Sequence, residues 1–178
     1  MNLYSLVLFA HIVATLALFA GLAIEWLILL ALKKAGAAET QTWIGVWPKM
    51  LPLTIASAVL LIASGIYLAT RVAVWNRGWI QVSLLSLLII APLGALAGRR
   101  VQAIASNRDA AGARAQIAAL VSCRTTVALA VVMLMTIKPN LTESGAITAI
   151  ALAAGWLFGR ITAGHRAIKS VAIAQASE

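Results

Sequence analysis

Long apolar segments separated by short polar ones dominate the pattern along the chain. Between Leu3 and Leu32 the only charged or imidazole side chains are His11 and Glu25. A transmembrane helix needs about 20 consecutive, mostly apolar residues, and such segments recur along the sequence. They predict an all-α integral membrane bundle, a single domain of five transmembrane helices with spans at residues 3–32, 48–70, 79–98, 118–137 and 145–163.

The connections between these segments are expected to be short. Residues 33–49 predict a polar loop, with Pro48 in the first turn of the second helix, where a missing N–H does least harm. Residues 99–121 predict two helical extensions that meet near Asn107. The fourth span becomes long enough only if it includes Arg124 near one membrane face.

Composition favours a membrane protein over an ordinary soluble domain. Hydrophobic residues make up 62% of the chain and charged residues 11%, whereas soluble domains carry about 25% charged residues. The lipid bilayer is therefore the first expected partner. The first apolar segment is too long for the core of a removable signal peptide, so we expect it to stay in the mature protein.

Lysine and arginine are distributed unequally between the two sides of the predicted bundle. Eleven of the fourteen lie within 33–49, 99–124 and 160–169, and three lie at 71–77 and 138. Because positively charged short loops stay in the cytoplasm, we expect the N-terminus outside and the C-terminus in the cytoplasm. This topology explains the net charge of +9, so nucleic acid is not an expected partner.

His11 is the strongest candidate for a chemical role, because polar side chains inside a membrane are costly. Tyr67, Met133 and Met135 are expected at a similar depth. Imidazole and thioether groups together suit Cu(I), and imidazole also ligates haem iron or relays protons. In the alternative interpretation, His11 only hydrogen-bonds to another helix and the methionines only pack.

Glu25 is expected to form a structural ion pair. It lies near the other membrane face from His11, and Arg124 and Arg160 reach a similar depth on other helices. A proton relay from Glu25 to His11 is the alternative, but Thr15 is the only polar residue between them on that stretch.

Two glycine pairs have the four-residue spacing that lets transmembrane helices approach closely. These are Gly94 with Gly98 and Gly155 with Gly159. The spacing predicts tight helix packing and permits a homodimer or a larger membrane complex.

Four short parts of the sequence carry a resemblance to a known family. They are His11 with Gly21, residues 64–69, Trp79 with Ser83, and residues 134–139. Together they resemble a family of small bacterial inner-membrane proteins of unknown function, which is distantly similar to the membrane domain of copper-resistance D proteins. The resemblance implies a compact bundle in the bacterial cytoplasmic membrane and a link to copper through His11, Tyr67 and Met135.

Two functional hypotheses follow. In the first, the protein binds or transports copper, haem or a small ligand near its outer face through His11. In the second, it is a non-catalytic structural or accessory subunit of a larger complex. An enzyme is the least expected class, because the chain contains only two histidines and five acidic residues.

The predicted orientation can be tested with single cysteines introduced into the 99–121 segment. We expect a membrane-impermeant maleimide, added to intact cells, to leave them unmodified, because this segment carries the densest positive charge. Modification before the cells are opened would reverse the assigned topology.

Overall fold

The computed structural model describes the backbone of residues 2–34, 36–105 and 110–175, and the side chains of 2–32, 36, 39–104 and 112–162. Within these ranges all regular structure is α-helical. The five helices are each long and apolar enough to cross a membrane, which confirms the expected helical bundle. They are α1 (Leu3–Lys34), α2 (Ala37–Arg71), α3 (Gly78–Ala105), α4 (Ala110–Ile137) and α5 (Leu141–Gln175).

Four of the helices form a ring, and the fifth packs outside it. Helix α1 contacts α2 and α4, while α3 also contacts α2 and α4. The backbones of α1 and α3 do not approach each other within the described residues. Helix α5 packs along α4 and touches α3, which makes α4 the most enclosed of the five spans.

Two of the four expected helix connections differ from the sequence analysis. Helix α2 begins at Ala37, so most of the expected 33–49 loop is helical and Pro48 lies inside the helix. The reason is tertiary, because Ile44 and Trp47 are buried in a core cluster with residues of α1, α3 and α4. Burial of these two side chains stabilises the segment as a helix, because tertiary packing contributes more to helix stability than the local sequence preference does.

Helix α5 begins at Leu141, before the expected start near residue 145. The Asn140 side-chain oxygen accepts a hydrogen bond from the Glu143 amide at 2.9 Å. In return, the Glu143 carboxylate accepts one from the Asn140 amide at 3.1 Å. This reciprocal capping box satisfies two amides at the helix start and fixes the boundary.

The two glycine pairs have different roles. A Cβ atom on Gly155 would lie 2.7 Å from the Cα atom of Cys123, and one on Gly159 would lie 2.3 Å from the Cα atom of Ala119. This pair therefore lets α5 pack against the α4 backbone within the chain. A Cβ on Gly94 would instead lie 2.9 Å from the Arg124 guanidinium carbon, while one on Gly98 would meet Trp47 at an ordinary 3.5 Å.

A buried ion pair joins α1 to α4. It lies between the core cluster that contains Trp47 and a second apolar cluster that contains Leu22 and Val127. Arg124 donates through Nη1 to both carboxylate oxygens of Glu25. The two residues are only 2% and 6% exposed. Arg160, the other expected partner, is exposed and lies over the Trp156 ring.

We predict that Glu25→Ala and Arg124→Ala each destabilise the bundle by about 3–5 kcal/mol, because each leaves a buried charge without its partner. The double variant should recover part of that loss. Unfolding in mixed micelles with increasing SDS measures the coupling in a double-mutant cycle.

Arg160→Ala is the matched control for this cycle and should show no coupling to Glu25→Ala. Independent effects of Glu25→Ala and Arg124→Ala would contradict the assignment.

We also predict that Gly94→Ala destabilises the bundle by about 1–3 kcal/mol, the usual range for overpacking. The guanidinium of Arg124 cannot swing away from the added methyl group without leaving Glu25. Gly98→Ala, one turn later on the same helix, should be close to neutral in the same unfolding assay. Equal effects of the two substitutions would count against a glycine that makes room for Arg124.

Candidate functional site

A cavity of about 340 Å³ lies between α1 and α3, at the end of the bundle that carries the N-terminus. It fills the gap left where these two helices do not meet, and α2 and the end of α4 complete its wall. Most of its surface is apolar. The lining residues are Tyr4, Leu8, His11, Leu61, Gly65, Leu68, Ala69, Val72, Val74, Trp79, Ile80, Ser83, Leu84, Leu87, Met135 and Lys138.

His11 lines this cavity and is held by α2. Its Nδ1 atom lies 2.9 Å from the hydroxyl oxygen of Ser64. The Ser64 hydroxyl also lies within hydrogen-bond distance of the carbonyl oxygens of Leu60, at 2.6 Å, and Leu61, at 3.2 Å. The contact therefore ties His11 to α2 in either tautomer of the imidazole.

Close approach of α1 and α2 makes this arrangement possible. A Cβ atom on Gly65 would lie 3.4 Å from the Cε1 atom of His11, so the imidazole rests directly against the α2 backbone. Thr15 completes the local arrangement by donating to the His11 carbonyl at 2.9 Å. The structure thus gives His11 the helix-tying hydrogen bond of the structural interpretation and also places it in the wall of the cavity.

Ser83 is the second polar group of interest in the cavity wall. It is 2% exposed, and its hydroxyl oxygen has no hydrogen-bond partner among the described residues. The seven other buried serines and threonines each donate to the carbonyl four residues earlier in the chain. Ser83 is the exception, and an unsatisfied buried hydroxyl costs about 1–3 kcal/mol.

The rim of the cavity carries aromatic and cationic groups. Tyr4 and Trp79 contribute rings from the first turns of α1 and α3. Lys138 follows α4 in a left-handed conformation with φ of 56°, and its amide bonds to the Leu134 carbonyl at 2.9 Å. This αL motif ends α4 and leaves Lys138 beside the cavity.

The structure divides the residues expected around His11 into two groups. Met135 lines the same cavity as His11. Met133 is 45% exposed on the outside of the bundle, because it lies two residues away on a different face of α4. The Tyr67 hydroxyl accepts from Arg71 Nε at 3.1 Å, and Tyr67 is not among the lining residues.

A conventional metal cluster is absent from the described residues. No group of three or more His, Cys, Asp or Glu side chains there could hold a metal ion. Cys123 is buried in the middle of α4 and does not line the cavity, and its sulfur lies 3.6 Å from the Leu152 carbonyl oxygen. Any metal in the cavity would therefore depend on His11 and Met135.

The four sequence parts that carry the family resemblance converge on this cavity. Each contributes at least one lining residue: His11, Gly65, Trp79 and Met135 are examples. Ser83 belonged to one of these parts, but nothing in the pattern distinguished it from the serines that bond to their own helix. Its missing partner is visible only in three dimensions.

Comparison with known proteins gives no relative. No protein-family model, no curated protein and no solved structure matches the chain. The geometry of the cavity and the chemistry of the groups that line it are therefore the guides to function.

Proposed function

We propose that this protein is a membrane-embedded binding module whose cavity takes a small, largely apolar molecule. The observation that carries the proposal is the cavity itself, a concave and mostly apolar space between α1 and α3 with His11 in its wall.

The form of the cavity supports this proposal. Small-molecule sites are concave, mostly apolar and equipped with a few polar groups, with volumes of about 300–1,000 Å³. The cavity of about 340 Å³ lies at the lower end of that range. Its walls are mostly leucine, isoleucine and other apolar side chains, with the imidazole of His11 among them.

The proposed setting is the bacterial cytoplasmic membrane, with the cavity open to the outer side. In the sequence, the segments at the cavity end carry three cationic residues, Arg71, Arg77 and Lys138, whereas the alternate segments carry eleven. This imbalance favours a cytoplasmic location for the alternate segments.

Copper is a second candidate ligand. His11 and Met135 line one cavity, and imidazole with thioether is a ligand set that Cu(I) accepts. Haem would depend on His11 alone as an axial ligand. Because most of the lining is apolar, the organic ligand is the better match.

The alternative from a different functional class is a non-catalytic accessory subunit, in which the buried polar groups only lock helices. The Glu25–Arg124 pair and the His11–Ser64 hydrogen bond fit that role. Ser83 does not, because it ties nothing together in the described residues.

We predict that the protein in nanodiscs binds 4-fluoroanisole at one saturable site, detected as a fluorine NMR shift. Its aromatic ring suits the apolar walls of the cavity. Ala69→Leu should abolish the saturable component, because Ala69 is buried in the cavity wall.

Ala63→Leu is the matched control, since the same side chain is added to an exposed position of the same helix. Non-saturable partitioning that is identical in all three proteins would contradict a binding cavity and favour the accessory role. Tight Cu(I) binding that Met135→Leu weakens and Met133→Leu does not would favour the copper candidate.

A further inference from the structure

Resting on the proposed function, we infer that the cavity takes a single-chain anionic amphiphile, with its chain between α1 and α3 and its head group at Lys138. Two observations support this inference: the chemistry of the lining changes along the cavity, and an ammonium group lies at the mouth. Fatty acids and anionic lysophospholipids both belong to this class of ligand.

The cavity is deep along the bundle axis in relation to its volume. Its lining on α3 extends from Trp79 to Leu87, which is about 12 Å at 1.5 Å per residue. Its lining on α1 extends from Tyr4 to His11, which is about 10 Å. A volume of about 340 Å³ at this depth is a narrow space, which suits one hydrocarbon chain and not the two chains of a complete phospholipid.

The inner end of the cavity is closed and apolar. Leu61 of α2 and Leu87 of α3 line it and are only 3% and 4% exposed. Both leucines belong to the core cluster that also contains Leu22 and Val127, so the cavity ends against the packed middle of the bundle. An alkyl chain is suited to this end, because it buries no polar atom without a hydrogen-bond partner.

The outer end of the cavity carries a positive charge. Lys138 lines the cavity and is also exposed, so the cavity opens beside this residue. The hydrogen bond from its amide to the Leu134 carbonyl, at 2.9 Å, fixes its backbone at the end of α4. Tyr4 and Trp79 line the same end, and such rings are typical of the membrane–water interface, where an amphiphile places its head group.

The ammonium group of Lys138 has no carboxylate partner in the part of the chain that the structure describes. The ion pair found there joins Glu25 to Arg124, and none of the described lining residues is Asp or Glu. Glu143, close in sequence, accepts a hydrogen bond from the Asn140 amide instead. An anionic head group would therefore meet this cation without displacing a protein carboxylate.

The charge at the mouth sets the preference among head groups. A cationic head group would be repelled by Lys138, and a neutral one would accept only an ordinary hydrogen bond. An anionic head group forms a charge-assisted hydrogen bond, which is stronger. The apolar inner end and the cationic mouth together match the two ends of an anionic amphiphile.

The test compares 10-fluorodecane-1-sulfonate with 10-fluorodecan-1-ol, which share a chain and differ in the charge of the head group. In nanodiscs of uncharged lipid, fluorine NMR of the chain end measures the saturable binding of each probe. Lys138→Gln should lower the ratio of sulfonate to alcohol affinity about fivefold, which corresponds to about 1 kcal/mol for an accessible ion pair. Lys138→Arg should preserve the ratio. Comparing ratios removes the difference in how the two probes partition into lipid.

Arg77→Gln is the matched control, because Arg77 is exposed at the same end of the bundle and does not line the cavity. It should leave the ratio unchanged. An equal decrease in Arg77→Gln and Lys138→Gln would assign the preference to the general charge of this end and overturn the inference. Glutamine also keeps the backbone cost of position 138 comparable, because lysine and glutamine both carry a Cβ atom at its φ of 56°.

The outcomes separate this inference from the proposed function. If Ala69→Leu abolishes the binding of both probes and Lys138→Gln leaves their ratio unchanged, the anionic head group is refuted and the binding cavity remains. Saturable binding of 4-fluoroanisole without binding of either decyl probe would refute the chain. Absence of saturable binding for all three probes would refute the inference and the proposed function together.

One further arm identifies the source of the anionic group. Displacement of the sulfonate probe by decanoate, and not by decanoyl lysophosphatidylglycerol, would support the carboxylate of a fatty acid. Displacement by the lysophospholipid would support a lipid phosphate. Displacement by neither compound would overturn the assignment to a single-chain lipid.

Discussion

Charge buried among apolar helices constrains this structure more than any other interaction. Glu25 and Arg124 are nearly inaccessible, and in a low-dielectric environment neither charge is tolerable without the other. Their pairing fixes α1 against α4 in both depth and rotation. Gly94 of α3 also lies against the guanidinium. The ion pair therefore favours a residue without a side chain at this position of a third helix.

The cavity follows from the way the four-helix ring is assembled. With α1 joined to α4 and α2, and α3 joined to the same two helices, the diagonal between α1 and α3 stays open. In the middle of the bundle buried leucine, isoleucine and valine side chains fill that diagonal. At the N-terminal end the filling is incomplete, and His11 lies in the wall of the remaining space.

Structural and ligand-binding roles are combined in the residues around His11. The hydrogen bond to Ser64 ties α1 to α2, as a purely structural histidine would. The same residue also lines the cavity. A group that stabilises the fold thereby also places an imidazole in the cavity wall.

The sequence by itself determined the class of fold and the number of spans. A long apolar segment in lipid has to satisfy its backbone hydrogen bonds internally, as an α-helix does. It also identified Glu25, Arg124 and His11 as exceptional, since each is an ionisable or polar group within an apolar segment. Local patterns could not place Trp47 in the core or extend α2 back to Ala37, because packing against other helices decides both. Tertiary structure alone chose Arg124 over Arg160 and separated Met135 from Met133. It alone also showed that Ser83 lacks a partner, because hydrogen bonding depends on which atoms the packed helices bring within reach.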